Sequence, residues 1–523
     1  MLCYGYLIHS GGKMITRNFF CYLLLLVVSS TLALYPVKGV ALQREDDWAP
    51  IGLIELEKRL KRDLELINFP PRQLREPTKL HDGAPFYDVV IIGGGYSGMA
   101  ASFALFKLGV TNIKIYDVRC EGLEGPWLNY ARMKTLRSGK GVMGPALQVP
   151  NLTFHAWFEA LYGREAWSKL YRTPTEEWMD YLRWYRKVLK LPIENQSALS
   201  LIVPEGDIFR LEINDCGEIH QVFARKVVLA TGRDGFGGLE IPLFMNDVPK
   251  EFWAHSAERI DFAALVDKRI AVIGVGASGF DAAAVALEND AGSVTMIMRR
   301  SQLPNVNKFA EFSTHGFYQG FYHMSDEQRW NFLAEANEAG IPPPVEALER
   351  VMVHRNFYLC PDASVNGVIP KGKEVEIATS RGNFTFDYII LGTGFIVDGS
   401  KQPELKLIMD QILLWSDRGL PNYSKNKMGM SPYLGPHFEF MEKTSGSAPY
   451  LKNIYCFNYA SFLSHGILVS DISGISTGAT RLAEGIVADL FLQNADERYN
   501  QLKLFQETDF DESDFNFHKI KKG

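Results

Sequence analysis

Two stretches of the 523-residue chain share one layout, an apolar β-branched run that ends in three glycines at fixed spacing. The first is VVIIGGGYSGMA, residues 89–100, and the second is IAVIGVGASGFDAA, residues 270–283. In this G-x-G-x-x-G pattern the first glycine permits a tight turn and the second lets backbone approach a pyrophosphate. The third lets a helix pack closely on a strand. Each stretch therefore predicts a strand, a phosphate-binding turn and a helix.

An acidic residue follows the first glycine loop at the distance expected for a ribose ligand. The next apolar run, NIKIYD, ends at Asp117, and a carboxylate at this strand end accepts hydrogen bonds from a ribose. This pattern fits the ADP moiety of FAD. The residues that we expect to bind it here are Gly93, Gly94, Gly95, Ser97, Gly98 and Asp117.

The second glycine loop is followed by basic residues instead of an acidic one. Its next strand, SVTMIMRR, finishes in Arg299 and Arg300, and guanidinium groups can bind a 2′-phosphate that a carboxylate would repel. The sequence therefore favours NADPH over NADH at this loop, with a solvated strand end as the alternative for the arginine pair. The other binding residues expected here are Gly274, Gly276, Ser278 and Gly279.

Two further apolar runs end in Thr-Gly, where the chain is expected to pass between domains and backbone comes close to a cofactor. They are KVVLATGRDG, with Thr231 and Gly232, and DYIILGTGF, with Thr393 and Gly394. A later glycine-rich turn at 471–491 opens an amphipathic helix whose N-terminus, with Thr477, would support the flavin ring.

These elements predict an α/β fold with two Rossmann-like dinucleotide-binding domains, in which an NADPH domain is inserted into an FAD domain, together with helical insertions that cover the substrate. The FAD domain takes 87–235 and 385–493, with a helical insertion at about 127–190. The NADPH domain takes 236–384, and a tail takes 494–523.

The N-terminal sequence is typical of a segment that targets a protein for export or to a membrane. An uncharged stretch at 18–37 follows Lys13 and Arg17, as in a signal peptide or an anchoring helix. We therefore expect residues 1–41 to export the chain or anchor it in a membrane, unless the start is misassigned, with Met14 as the true start, and the protein is cytoplasmic. The charged connector that follows, 42–86, contains a short amphipathic helix, with Ile51, Leu53, Ile54, Leu56 and Leu60 near one face.

Composition excludes other functions. The net charge of −6 argues against nucleic-acid binding, which needs a basic face. The six cysteines never form C-x-x-C, so no metal site and no redox dithiol are predicted.

The two glycine loops, the Thr-Gly strand ends, GPWLNYARMKTLRS from Gly125 and the STGATR helix resemble the class B flavin-dependent monooxygenases over about Tyr87–Gln493. The resemblance implies FAD, NADPH, O₂ and a C4a-(hydro)peroxyflavin that oxygenates a small nitrogen-, sulfur- or carbonyl-bearing substrate. It also implies that Trp127 contacts the cofactor. Because the cofactor carries the difficult step, we assign no catalytic residue.

Two other functions fit the same residues. One is an FAD- and NADPH-dependent reductase or dehydrogenase that passes electrons to a quinone or a partner, and the other is a non-catalytic cofactor-binding scaffold. Substrate contacts are expected from segments outside the nucleotide units, namely the aromatic-rich stretch 127–186, the stretch 301–351 and the loop 425–440.

Overall fold

The computed structural model describes residues 48–74, 80–419, 427–469 and 471–518. Strands are numbered β1–β20 and helices α1–α11 in chain order. The predicted signal peptide or anchor, residues 1–41, lies outside the described residues, as does part of the loop at 425–440.

The first nucleotide unit is built on an eight-stranded sheet with the order β6-β3-β2-β9-β8-β7, to which β1 adds on β2 and β20 adds on β9. Strands β2, β3, β6 and β20 run parallel to β9, whereas β8 pairs with the first half of β9 in the antiparallel sense. The strands are β1 (Leu80–His81), β2 (Ala84–Ile92), β3 (Ile113–Asp117), β6 (Ile193–Asn195), β7 (Ser197–Glu205), β8 (Ile208–Asp215), β9 (Glu218–Leu229) and β20 (Ile454–Tyr455).

The second unit has a five-stranded parallel sheet with the order β11-β18-β12-β13-β14 and an antiparallel sheet with the order β15-β16-β17. Two short pairs, β4 with β5 and β10 with β19, lie outside these sheets. The strands are β4 (Thr135–Gly139), β5 (Arg172–Pro174), β10 (Gly237–Leu239), β11 (Trp253–His255), β12 (Arg269–Ile273), β13 (Ser293–Ile297), β14 (Phe357–Cys360), β15 (Val365–Lys371), β16 (Glu374–Thr379), β17 (Gly382–Phe386), β18 (Tyr388–Leu391) and β19 (Phe395–Val397).

One predicted domain boundary needs correction. The strand at Tyr388–Leu391 was expected to begin the returning part of the first unit, at residue 385. Instead it pairs in parallel with β12, with Ile270 opposite Tyr388. The second unit therefore continues through this strand, because β18 fills the centre of its sheet between β11 and β12.

The expected helices are present. Helices α2 and α5 follow the two glycine loops, α3 and α4 form the predicted insertion, and α10 follows the late glycine-rich turn. The helices are α1 (Gly52–Leu66), α2 (Tyr96–Lys107), α3 (Phe154–Lys169, interrupted at Gly163), α4 (Thr175–Leu189), α5 (Ala277–Glu288), α6 (His315–Gly320), α7 (Asp326–Ala339), α8 (Val345–Met352), α9 (Phe462–His465), α10 (Ile475–Leu492) and α11 (Ala495–Leu504).

Helix α1 confirms the amphipathic connector, but its predicted face contains two exposed residues, Ile51 before the helix begins and Ile54 within it. Leu56 and Leu60 are buried and belong to the same core as α3, but the Ile54 side chain is 77% exposed. Since successive helical residues are about 100° apart, Ile54 lies about 200° from Leu56 and cannot share its face.

Both faces of each parallel sheet are covered, which explains why the central strands are apolar throughout. Val89 and Ile91 belong to one core cluster, with α2, α4 and α10, whereas Val90 and Ile92 belong to another. In β12 the same alternation divides its residues between a cluster with α5 and a cluster with β16. A run without polar alternation is the pattern of a strand buried on both faces.

The predicted localisation, export or membrane anchoring through residues 18–37, is contradicted. Within the described ranges no helix has the length and apolar character that crossing a membrane requires. The apolar stretch itself lies outside those ranges.

Candidate dinucleotide sites

The first glycine loop connects β2 to α2 with almost no room for side chains. Gly93 has a φ of +105°, and a Cβ there would overlap the carbonyl of Ala230. A Cβ on Gly98 would overlap the Gly93 carbonyl oxygen. Helix α2 begins after Gly95 without a side-chain cap, so its first N–H groups are available for a phosphate.

Asp117 lies beside this loop, as predicted, but it also holds the loop in place. Its Oδ2 accepts a hydrogen bond from the Gly94 N–H at 2.7 Å, and its Oδ1 accepts one from the Arg119 N–H at 2.7 Å. Burial raises the pKa of this carboxyl, and the two N–H groups oppose the rise. Each carboxylate oxygen has a further lone pair, so Asp117 can still accept from a ribose.

Trp127 lies close to the same loop. Its ring is near Gly125 and makes an edge contact with Tyr96, at 6.0 Å between centroids. The Trp127 Nε1–H is buried and has no hydrogen-bond partner among the residues described. A buried indole donor beside a glycine loop fits a site that a polar cofactor completes.

Three other predicted contacts of the first unit are spread over its strand and helix ends. The Thr231 hydroxyl accepts a hydrogen bond from Asn458 Nδ2 at 3.2 Å, and Gly232 follows it with a φ of +81°. Thr477 is half-buried in the first turn of α10. The neighbouring Ser476 ties that turn to the Gly144 carbonyl at 2.6 Å, so the start of α10 is fixed.

The second glycine loop repeats the first. Gly274 has a φ of +107° and adjoins the Gly392 carbonyl, and Gly279 packs on Gly274. Gly276 has open space around its Cβ direction, and Ser278 is exposed at the uncapped start of α5. Open space at the middle glycine and free helix N–H groups fit a pyrophosphate. Thr393 and Gly394 follow β18 next to this loop, and the Thr393 hydroxyl donates to the Glu240 carbonyl at 2.5 Å.

The two arginines after β13 differ in their surroundings. Arg300 donates from Nη1 to the Ala339 carbonyl at 3.1 Å and from Nη2 to the Glu338 carbonyl at 2.7 Å. It therefore caps the C-terminal end of α7. Arg299 is exposed. Arg299 is thus the better placed of the two to read a 2′-phosphate.

We expect the Arg299→Ala substitution to raise the KM for NADPH, with little effect on the KM for NADH. Loss of a charge-assisted hydrogen bond of about 1.5–3 kcal/mol corresponds to a change on the order of 10- to 100-fold. The matched Arg300→Ala variant should lower thermal stability and affect both coenzymes alike. Steady-state kinetics with each coenzyme measure the difference, and equal KM changes in Arg299→Ala would contradict this role.

A bridging segment, residues 132–138, lies between the two nucleotide units. Arg132 donates to the Ser256 carbonyl and, at 2.8 Å, to the Glu258 carbonyl. The Thr135 hydroxyl donates to Glu346 at 2.5 Å, and Lys134 pairs with Glu288 at 3.1 Å. The first unit's chain is therefore held by side chains and carbonyls of the second.

Asp281 and Arg350 complete this contact. Asp281, in the second turn of α5, is buried and lies 3.3 Å from Arg350 Nη1. Arg350 also donates to the Arg132 carbonyl at 3.0 Å and pairs with Glu288 through two nitrogens. Burial raises the pKa of Asp281 to about 6, and the nearby Arg137 and Arg350 oppose the rise.

The raised pKa of Asp281 predicts a pH dependence of stability. Its carboxyl has an ordinary pKa of 3.8 and a folded pKa of about 6, so the native state binds the proton more tightly than the unfolded state. Its contribution to stability is therefore full below pH 3.8 and falls by about 3 kcal/mol as the pH rises through 6.

Urea unfolding of wild type and Asp281→Asn across this pH range measures that contribution. The free energy of unfolding of wild type should fall relative to the variant as the pH rises, since asparagine does not titrate. Parallel curves would show that Asp281 does not titrate in this window.

The sequence had not assigned the bridging residues Arg132, Lys134 and Thr135, nor Glu288 and Arg350, to any site. The motif GPWLNYARMKTLRS contains the first three, so it carried a signal. The His465 ring is buried between Phe438 and Tyr322, which lowers its pKa.

Comparison with known proteins agrees with this geometry. Residues 90–315 match the family model of the pyridine nucleotide-disulphide oxidoreductases. The chain is 35% identical over 449 residues to the FAD-dependent urate hydroxylase of Xanthomonas campestris pv. campestris. That alignment covers 85% of this chain and 94% of the relative. The chain belongs to the class B flavin-dependent monooxygenases.

Solved structures agree on the fold of this monooxygenase. The ornithine hydroxylase of Pseudomonas aeruginosa superposes with a TM-score of 0.61 at 16% identity, over 77% of this chain and all of that one. An ornithine N-hydroxylase of Kutzneria sp. 744, solved with reduced FAD and NADP⁺, gives 0.59 at 16% identity over 77% and 99%.

The chain is thus an FAD- and NADPH-dependent oxidoreductase that acts on a small molecule with O₂. The predicted fold class, family, cofactors and enzyme class are confirmed.

Proposed function

We propose that this monooxygenase hydroxylates urate or a closely related oxidised purine. The observation that carries the proposal is the 35% identity to a urate hydroxylase over nearly the whole of that protein. The surroundings of Arg137 support it, since they offer an anionic, planar ligand several guanidinium groups.

Arg137 lies on β4 in the bridging segment and is exposed to solvent. Asp281, Arg233 and Arg172 are near enough to influence its charge, and desolvation lowers its pKa. Three arginines and one aspartate therefore act on the same region, whose net positive charge favours an anion.

Urate fits this chemistry. It is an anion at neutral pH and carries carbonyl oxygens in the plane of its rings. A guanidinium group is planar as well and can donate two parallel hydrogen bonds to such an edge. Arg137 would therefore hold the substrate's charge and fix the orientation of its rings.

The other residues of the two sites would bind the two coenzymes and orient them. The glycine loops and the free N–H groups of α2 and α5 would hold the two pyrophosphates, Asp117 a ribose, and Arg299 the 2′-phosphate. When bound, reduced FAD supplies the oxygen-transfer chemistry. The bridging segment contacts both units and carries Arg137.

Substrate-dependent turnover tests the proposal. FAD-loaded protein is mixed with NADPH in air and with urate, L-ornithine or L-lysine in turn, while NADPH oxidation, oxygen uptake and the oxygenated product are measured. We expect tightly coupled oxidation with urate alone. Hydroxylation of an amine instead, or NADPH oxidation without oxygenated product, would overturn the proposal in favour of an N-hydroxylase or a reductase.

The Arg137→Ala and Arg137→Lys pair then tests the contact. Alanine should raise the KM for urate on the order of 10- to 100-fold and leave the KM for NADPH unchanged. Lysine keeps the charge without the planar fork, so it should restore part of the loss.

A further inference from the structure

The aromatic-rich stretch 127–186, together with Tyr96, forms a continuous line of rings that extends beyond the nucleotide sites. Tyr96 contacts Trp127 with 6.0 Å between ring centroids, and Trp127 contacts Trp178 at 6.0 Å. Tyr181 follows at 5.2 Å and Trp184 at 6.1 Å. These separations are those of rings in van der Waals contact, across which electrons move readily between easily oxidised side chains.

The inner end of this line is at the first glycine loop. Tyr96 directly follows Gly95, and its hydroxyl donates to the Val469 carbonyl at 2.7 Å. Trp127 adjoins Gly125 and is itself one of the expected cofactor contacts. An oxidising species formed near the cofactor would therefore meet these two rings first.

The outer end of the line is at the surface helix α1. The Trp184 Nε1–H donates to Glu57 Oε1 at 3.3 Å. When an indole loses an electron, its N–H becomes a far stronger acid than before, so the carboxylate of Glu57 can take the Nε1 proton. The hole then rests on Trp184 as a neutral radical, which avoids a buried charge.

The inner rings of the line have no comparable proton acceptor. Trp127 and Trp178 are buried, and over the described ranges their Nε1 atoms have no hydrogen-bond partner. The Tyr181 hydroxyl donates to the Leu152 carbonyl at 2.8 Å, which is not a base. A hole on these rings stays positively charged in an apolar core, so the free energy favours its movement outward to Trp184.

We propose that Tyr96, Trp127, Trp178, Tyr181 and Trp184 conduct electron holes from the first glycine loop, where flavin is expected to bind, to the surface and so protect the site. A one-electron oxidant derived from incompletely reduced O₂ takes one electron from Trp127. An electron then moves along the line from Trp184 toward Trp127. Trp184 has thereby lost one electron, and it gives its Nε1 proton to Glu57. A thiol or ascorbate in solution then returns one electron, and Glu57 returns the proton.

Breaking the line in the middle tests this proposal, with a matched control. Trp178→Phe removes the ring that connects Trp127 to Tyr181. Trp157→Phe is the control, because Trp157 is equally buried and also has an unpartnered Nε1, but it flanks the line rather than connecting it. Thermal unfolding checks that the two variants have lost similar stability.

FAD-loaded wild type and variants are supplied with NADPH and air but no organic substrate, and oxidised residues are mapped by mass spectrometry with and without ascorbate. We expect oxidation of wild type and Trp157→Phe at Trp184, suppressed by ascorbate. In Trp178→Phe, oxidation at Trp127 and Tyr96 should rise several-fold and resist ascorbate.

The Glu57→Gln variant changes only the surface end and provides a test that does not depend on core packing. It should shift oxidation from Trp184 to the inner rings. The same oxidation map in wild type, Trp178→Phe and Glu57→Gln would overturn the proposal. This result does not depend on which organic substrate the enzyme uses.

Discussion

Replacing Gly98 with alanine should abolish FAD binding because it disrupts the fold of the first unit. A Cβ at this position would overlap the carbonyl of Gly93, and both groups belong to the backbone. No side-chain rotation can relieve the overlap, so α2 must move away from β2. We expect the loss to exceed about 4 kcal/mol, the range of the most damaging single substitutions. Soluble yield, flavin absorbance and urea unfolding measure it.

Gly95→Ala is the matched control for that result. Its Cβ would lie 3.8 Å from Gly125 Cα, an ordinary contact, and its φ of −69° suits any residue. We expect a folded protein that binds FAD more weakly, because the methyl group occupies the space that a pyrophosphate needs. If Gly98→Ala gave a stable yellow protein, the assigned packing of α2 on β2 would be wrong.

The second substitution with a large expected effect on stability is at Lys226, on β9. Its side chain is fully buried, and its Nζ donates to Asn453 Oδ1 at 2.5 Å and to Asp489 on α10. Lys226→Ala leaves Asp489 without its cation and opens a cavity under α10. Removing a long buried side chain leaves a cavity that costs about 2–5 kcal/mol, and Asp489, whose side chain is 30% exposed, also loses its ion-pair partner. Chemical unfolding of the FAD-loaded enzyme measures the change.

Two control variants distinguish the effect of breaking the ion pair from the effect of losing any lysine. The double variant Lys226→Met with Asp489→Leu replaces both charges by apolar groups and should recover most of the stability. The exposed Lys187→Ala, on α4, should change little. A loss for Lys226→Ala no greater than that for Lys187→Ala would show that the buried pair contributes nothing.

The glycine loops could be predicted from the sequence because their constraints are local. Gly93 and Gly274 need positive φ, and Gly98 and Gly279 need close packing, all within a few residues. The boundary near 385 failed because sheet neighbours are not local. Arg269, at the start of β12, binds Asp387 across 118 residues of sequence, and nothing in DYIIL alone says which sheet it joins.

The candidate sites show the same difference between local features, which the sequence predicts, and contacts between distant residues, which it does not. Asp117 follows its strand at the expected place and contacts the loop. Arg300 also follows its strand, but it caps a helix end 38 and 39 residues further along, which its own surroundings in the sequence do not reveal. The partners of the bridging segment lie still further away. Arg132 reaches Glu258 across 126 residues, and Thr135 reaches Glu346 across 211.

The bridging segment has a consequence for how the two coenzymes bind. It belongs to the unit for which FAD is proposed, yet α5 and α8 of the unit proposed to take NADPH hold it, so we expect occupancy of either site to restrain the same stretch of backbone. The coenzyme that arrives second then loses less conformational entropy on binding. By thermodynamic reciprocity, NADP⁺ must strengthen FAD retention by the same factor by which FAD strengthens NADP⁺ binding.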